Sequence, residues 1–214
     1  MAIAIIGGTG NLGYGLALRL AKLGDDVIIG SRGLEKAEAA AAEARAAAGV
    51  ENIRGMANPD AAAASAVVVI AVPASAQVGT VQSIAAPCVG KLVIDTTVCL
   101  AEDNPTLVVP PPEGSAAERA ASLLPGARVV SALHTVSGKL LADLEKPVDV
   151  DIFVAGSDKE AKAEAIALLG RIGGRCIDAG PLRQSQTLER MTALVIGMNI
   201  RYKRKHIGIS IHGL

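Results

Sequence analysis

Tryptophan is absent, and Tyr14, Phe153 and Tyr202 are the only aromatic side chains among 214 residues. A planar ligand here therefore lies between aliphatic side chains and backbone, with no stacking ring to receive it. Cysteine is sparse: Cys88, Cys99 and Cys176 are odd in number and far apart, with no C-x-x-C pair. That spacing excludes a disulfide framework and a zinc ribbon, and points to reduced thiols in a cytoplasmic protein. His134, His206 and His212 form no ligand cluster, so no metal is expected. Neither sign of charge is in excess, with 21 basic and 21 acidic residues, which argues against a nucleic-acid partner. No apolar run approaches the roughly 18 residues of a membrane span. The chain opens on an apolar strand instead of the basic segment of a signal peptide. No membrane association is expected.

What the chain does have is glycine, 23 residues of it, and the informative ones stand at the start. Ile3, Ala4, Ile5 and Ile6 form a short strand-like run. It breaks into Gly7-Gly8-Thr9-Gly10-Asn11-Leu12-Gly13, which contains G-x-G-x-x-G at Gly8, Gly10 and Gly13. Leu12, Leu16, Leu20 and Leu23, with Arg19 and Lys22 between them, then follow a helical pattern that stops at Gly24, and Val27-Ile28-Ile29 is a second strand. In so glycine-rich a chain the motif alone arises by chance about one time in four, so its context carries the assignment. Strand, glycine turn, helix and strand make a dinucleotide-binding unit. The glycines allow a tight turn, close approach of backbone N–H groups to a pyrophosphate, and tight packing of helix on strand.

Further along, strand and helix patterns alternate. Residues 34–48 are a helix stopped by Gly49, 53–56 a short strand, and Asn58-Pro59-Asp60 opens another helix. Residues 66–72 are a continuous β-branched run of the kind buried on both faces of a parallel sheet. Pro73 ends it, 76–84 form a helix, and 92–95 a fifth strand. Residues 104–114 are proline-rich and read as an irregular excursion. A helix (115–124), a strand (128–131), the segment 132–138, a strand (151–154), a helix capped by Ser157 or Asp158 (158–172), a strand (176–178) and a final helix (184–204) complete the pattern. This is an α/β protein with a doubly wound, mostly parallel sheet, divided as a dinucleotide-binding domain (1–155) and a small C-terminal α/β segment (156–214). Ligands of such sheets bind at the carboxyl ends of the strands, which nominates 7–13, 30–32 and 72–76, with Thr96 and Thr97 on the same edge.

The second strand ends at Gly30-Ser31-Arg32, where an NAD site usually carries a carboxylate for the ribose hydroxyls. A hydroxyl and a guanidinium, with Lys36 one helical turn on, suit the 2′-phosphate of NADP instead.

Taken together, IAIIGGTGNLGYGLALRLAKLGDDVIIGSR, EKAEA, Ala71-Val72-Pro73, VVSALHT at 129–135 and DAGPL at 178–182 resemble the NADPH-dependent F420 reductases over nearly the whole chain. The resemblance implies a cytoplasmic homodimeric oxidoreductase that passes a hydride between C4 of the nicotinamide of NADP and C5 of the deazaflavin of coenzyme F420. It implies NADP contacts from Gly8, Thr9, Gly10, Asn11, Leu12 and Gly13, from Ser31, Arg32 and Lys36, and from Pro73, Ala74 and Val78. It places the meeting of the two rings at His134-Thr135-Val136, with Val136 as an apolar wall, Gly138 as a close backbone approach and Ile207 as a deazaflavin contact. Residues 156–214 would complete the F420 pocket. Where members of the family carry a bulky aromatic beside Pro73, this chain has Ala74, which implies a looser ring pocket.

Two features stay open at this level. On a continuous helix Arg201, Arg204 and Lys205 share one side, either as a cationic rim for the phosphodiester and glutamate tail of F420 or as cations stabilising a helix end. His134 is either the titratable group nearest the deazaflavin or a structural histidine held by hydrogen bonds. Two alternatives differ in class: a pyrroline-carboxylate-type NADP reductase, which needs a longer helical C-terminal region, and a non-catalytic NADP(H) sensor, which needs no second pocket. The Tyr-x-x-x-Lys acid of short-chain dehydrogenases is absent, since His206 follows Tyr202 by four and Leu18 follows Tyr14 by four.

Overall fold

The computed structural model describes residues 1–214. Eight strands form one sheet in the order β3-β2-β1-β4-β5-β6-β7-β8. They are β1 (Ala2–Ile6), β2 (Asp26–Ser31), β3 (Ile53–Ala57), β4 (Val67–Ile70), β5 (Leu92–Asp95), β6 (Arg128–Ser131), β7 (Ile152–Gly156) and β8 (Cys176–Asp178). The first six are parallel; β7 runs antiparallel to β6 and carries β8 parallel to itself. The order reverses between β1 and β4, so a ligand crevice opens above these two strands.

Period-two alternation divides the core. Ile3, Ile5, Val67, Val69 and Ile94 face one side, with Leu16, Leu20 and Leu168 from the helices. Ala4, Ile6, Val68, Ile70 and Val93 face the other, with Val81, Ile84 and Leu124. Helices α1 (Asn11–Lys22), α2 (Leu34–Ala48) and α7 (Lys159–Gly170) contribute to the first layer; α3 (Asn58–Ala63), α4 (Ala74–Ser83) and α5 (Ala116–Leu123) to the second. The buried stripe Ala37, Ala41, Ala44 and Ala48 lets α2 lie close to the sheet. Gly49, at φ +63°, ends it, and Asp158 caps α7 by accepting the N–H groups of Glu160 and Ala161.

Three boundaries depart from expectation. Helix α4 begins at Ala74, directly after Pro73. The segment after His134 folds into a short helix, α6 (Gly138–Ala142), too brief to leave a periodic signature. Helix α8 (Ser185–Arg201) stops three residues early. Lys203 takes a left-handed φ of +51°, and the N–H groups of Lys203 and Arg204 return to the carbonyls of Ile200 and Asn199. That is a Schellman stop built on lysine where glycine is usual, so Arg204 and Lys205 are not on a helix with Arg201.

Candidate active site

The glycine loop leaves β1 through Gly7, whose φ of +80° only glycine adopts without strain; this residue stands one before the motif. The N–H of Gly10 donates to the carbonyl of Gly7 at 3.0 Å. A Cβ on Gly13 would come within 2.9 Å of the Gly8 Cα, so that glycine is required for helix-on-loop packing. No side chain caps α1, so its opening N–H groups and dipole are free for an anion. Thr9 and Leu12 are half-buried beside this opening.

At the end of β2, Ser31 is buried, while Arg32 and Lys36 are exposed and enter no ion pair. A Cβ on Gly30 would meet Asn58 Oδ1 and Ile6 Cδ1 at 2.9 Å each, so any larger residue here would require those two side chains to move. Pro73, Ala74 and Val78 begin the helix that follows β4, with Val78 exposed on its outer side.

A cavity of about 520 Å³ opens beside the loop. It gathers Asn11 from the start of α1, His134, Thr135, Val136, Ser137, Gly138 and Lys139 from the turn after β6, Thr192, Val195, Ile196, Asn199 and Ile200 from α8, and Arg204, Lys205 and Ile207 from the tail. It thus unites Asn11, His134, Thr135, Val136, Gly138 and Ile207. The remaining glycine-loop residues, Ser31, Arg32, Lys36, Pro73, Ala74 and Val78 lie outside it. Asn11 belongs to both places. Gly138 joins them: a Cβ there would stand 2.7 Å from the Leu12 nitrogen and 2.8 Å from the Asn11 carbonyl carbon. Its close backbone approach is therefore to α1. Lys139, Arg204 and Lys205 make the rim cationic, whereas Arg201 borders a separate groove with Leu194 and Met198. The shared side expected for Arg201, Arg204 and Lys205 is not formed, because the helix ends between them.

His134 is introduced by Leu133, a buried residue at φ +67°, a conformation costly for a branched side chain. Its carbonyl accepts the Thr192 hydroxyl at 2.8 Å. Its ring is buried, and neither nitrogen has a hydrogen-bond partner of good geometry. Burial drives its pKa down to about 4, with the backbone of Thr97 and Ala132 pulling weakly the other way. The imidazole is neutral at pH 7 and is no standing acid. The α8 residues were missed in the sequence, although Thr192, Val195, Ile196 and Asn199 recur at helical spacing on one face.

The reversal crevice and the uncapped helix start define a Rossmann-type fold of the dinucleotide-binding class, with a cavity adjoining the glycine loop. Residues 2–99 match the family described as NADP oxidoreductase, coenzyme F420-dependent. The F420-dependent NADP reductase of Methanocaldococcus jannaschii is 45% identical over all of this chain and 99% of its own length. That of Methanothermobacter thermautotrophicus is 43% identical over all of this chain and 96% of its own. A crystal structure from Arthrobacter sp. FB24, provisionally assigned as an F420-dependent NADP-reductase, superposes with a TM-score of 0.85 at 28% identity, covering 99% of both chains. The chain belongs to the F420-dependent NADP reductase family.

Proposed function

We propose that the protein moves a hydride between C4 of the nicotinamide of NADP and C5 of the deazaflavin of coenzyme F420. One observation carries this reading: Asn11 of the glycine loop and the turn after β6 face a single cavity, with Gly138 packed on the backbone of Asn11 and Leu12. A dinucleotide on the loop and a second ring in the cavity would meet at this seam.

On this reading Gly8, Thr9, Gly10, Asn11, Leu12 and Gly13 hold the pyrophosphate at the start of α1. Ser31, Arg32 and Lys36 hold the 2′-phosphate, and Pro73, Ala74 and Val78 border the nicotinamide. Val136, Val195, Ile196 and Ile207 wall the deazaflavin, in a cavity that no aromatic ring lines. Lys139, Arg204 and Lys205 favour the rim reading of the basic tail, and residues 156–214 complete the pocket. The two cofactors would supply the hydride chemistry; the chain's part would be to align them and to exclude water between them. His134, neutral at pH 7, stands beside Thr135 at this seam as the titratable group that would handle the deazaflavin proton, and its buried ring would have to shift for either nitrogen to reach a ligand.

The cavity beside the glycine loop argues against the NADP(H) sensor, and the full-length relatives favour neither alternative. We further propose a cytoplasmic homodimer. The exposed Leu194 on the outer side of α8, with Ile200 exposed at the edge between that side and the cavity, supports the dimer, and three free thiols fit a reducing compartment. Light scattering that reads the mass of one chain would overturn the dimer. For the activity, NADPH added to protein and F420 should bleach the visible band of the deazaflavin, far faster than NADH does. No bleaching with either nucleotide would overturn the assignment.

A further inference from the structure

Behind the cavity, α8 is fastened to the sheet by polar side chains that have almost no exposure. Glu189 accepts the N–H of Cys99 at 2.9 Å through Oε2 and the N–H of Ala116 at 2.6 Å through Oε1. Gln77 of α4 donates to the carbonyl of the same Ala116 at 3.0 Å and to Asp95 Oδ2 at 2.7 Å, while its Oε1 accepts Arg119 Nε at 2.8 Å. Asp95 Oδ1 in turn accepts the N–H of Thr97 at 2.9 Å. Glu189 is 1% exposed, and Gln77 and Asp95 are wholly buried. One residue at the start of α5, Ala116, is therefore gripped through its N–H by α8 and through its carbonyl by α4.

Such groups are a costly way to fill a core. Removing two carboxylates from water costs several kcal/mol each, and one guanidinium, Arg119, acts on Glu189 alone of the two. Burial outweighs the hydrogen bonds and pushes the Asp95 carboxyl up to about 7 and Glu189 upward as well. Apolar side chains would pack these elements at less expense, so the network needs a reason beyond packing. Its two ends supply one. Helix α4 begins with Pro73 and Ala74, and α8 carries Thr192, Val195, Ile196 and Asn199 into the cavity.

We propose that Glu189, Gln77 and Asp95 are positioning residues that set the separation of α4 from α8, and with it the distance between the two rings that exchange the hydride. This rests on the hydride transfer proposed above. A displacement of about 1 Å at a reacting centre costs about 100-fold in rate, so a rigid spacer of this kind acts on the chemical step more than on binding.

Glu189→Gln keeps the shape but leaves one acceptor for two N–H donors. In single-turnover mixing of the protein with F420 and NADPH, hydride transfer should slow about 10- to 100-fold while the dissociation constant of NADPH changes about 2-fold or less. Gln77→Met, which keeps the length and loses all three bonds, should do the same and serves if Glu189→Gln does not fold. The double variant should lose less than the product of the single losses, because both release Ala116. Variants that melt earlier yet transfer hydride at the wild-type rate would show a purely structural network and overturn the proposal. So would an NADPH affinity that falls as much as the rate. A wild-type chain that moves no hydride would overturn the activity itself and this proposal with it; an active wild type matched by both variants overturns this proposal alone.

Discussion

Arg32 shows how much chemistry one side chain carries. It stands at the end of β2 with no carboxylate beside it, exposed, unpaired, and one helical turn from Lys36. A charge-assisted hydrogen bond contributes about 1.5–3 kcal/mol, so Arg32→Ala should weaken NADP by about 10- to 100-fold and leave NAD nearly unchanged. Titration with both nucleotides checks this, and equal losses would refute the 2′-phosphate role. This corner was legible from sequence because residue chemistry and a fixed offset from the glycine motif define it. Leu133 was not, since nothing in its identity announces a left-handed backbone. The surroundings of the His134 ring were hidden for a different reason: a histidine's solvation depends on neighbours such as Thr97, which the loop after β5 supplies.

Elements that touch only through backbone leave a weaker trace in the sequence. The glycine at 138 was readable as a close approach, but what it approaches is set by α6, a helix of five residues. Gly138→Ala would press a methyl group against the backbone of Asn11 and Leu12, which cannot rotate away as a side chain would. Hydride transfer should fall about 10-fold or more as the seam between loop and cavity opens, with a lower melting temperature, and stopped-flow absorbance together with calorimetry reads both. The stop of α8 was illegible because lysine occupies the position where glycine would have marked it. That stop decides an electrostatic question, since it turns Arg204 and Lys205 toward the cavity and leaves Arg201 outside it. Exposed cations are screened beyond about 8–10 Å at physiological salt. Raising ionic strength should therefore weaken F420 more than it weakens a tail-less deazaflavin, and Arg204→Ala with Lys205→Ala should flatten the difference. Identical salt slopes for the two ligands would refute a rim that holds the tail.

At the scale of the whole molecule, the alternation of strands and helices and a sheet covered on both faces were legible, because β-branched runs and helical spacing are local signals; the strand order and the antiparallel β7 were not, since pairing joins distant segments. The polar network was not: Glu189 and Ala116 lie 73 residues apart, and Gln77 meets Asp95 only once the sheet has formed. That network and His134 give the fold a pH response with opposed parts. Burial lowers His134 from 6.5 to about 4. Between these values the unfolded chain takes up a proton that the folded chain refuses, so this residue's contribution is complete above pH 6.5 and is lost as the pH falls toward 4. Burial raises Asp95 from 3.8 to about 7. There the folded chain keeps a proton that the unfolded chain has released, so stability is lost as the pH rises from 3.8 toward 7, and Glu189 adds to the same side. Each slope reaches at most about 1.4 kcal/mol per pH unit, and over pH 4–6.5 the two largely offset each other. Wild-type melting temperature should vary little across that window, tilting toward greater stability in mild acid because two carboxyls oppose one imidazole. Asp95→Asn should tip the balance toward the histidine, with a melting temperature that falls on acidification from pH 6.5 to 4 relative to wild type, Glu189 alone still opposing it. His134→Asn should uncover the carboxyls, with one that drops as the pH rises from 4 to 7. The sign of each slope, read by calorimetry at several pH values, is independent of how far either substitution lowers stability overall. Three parallel curves would mean that neither group titrates out of step with its unfolded form, and that the interior around the site is wetter than its burial implies.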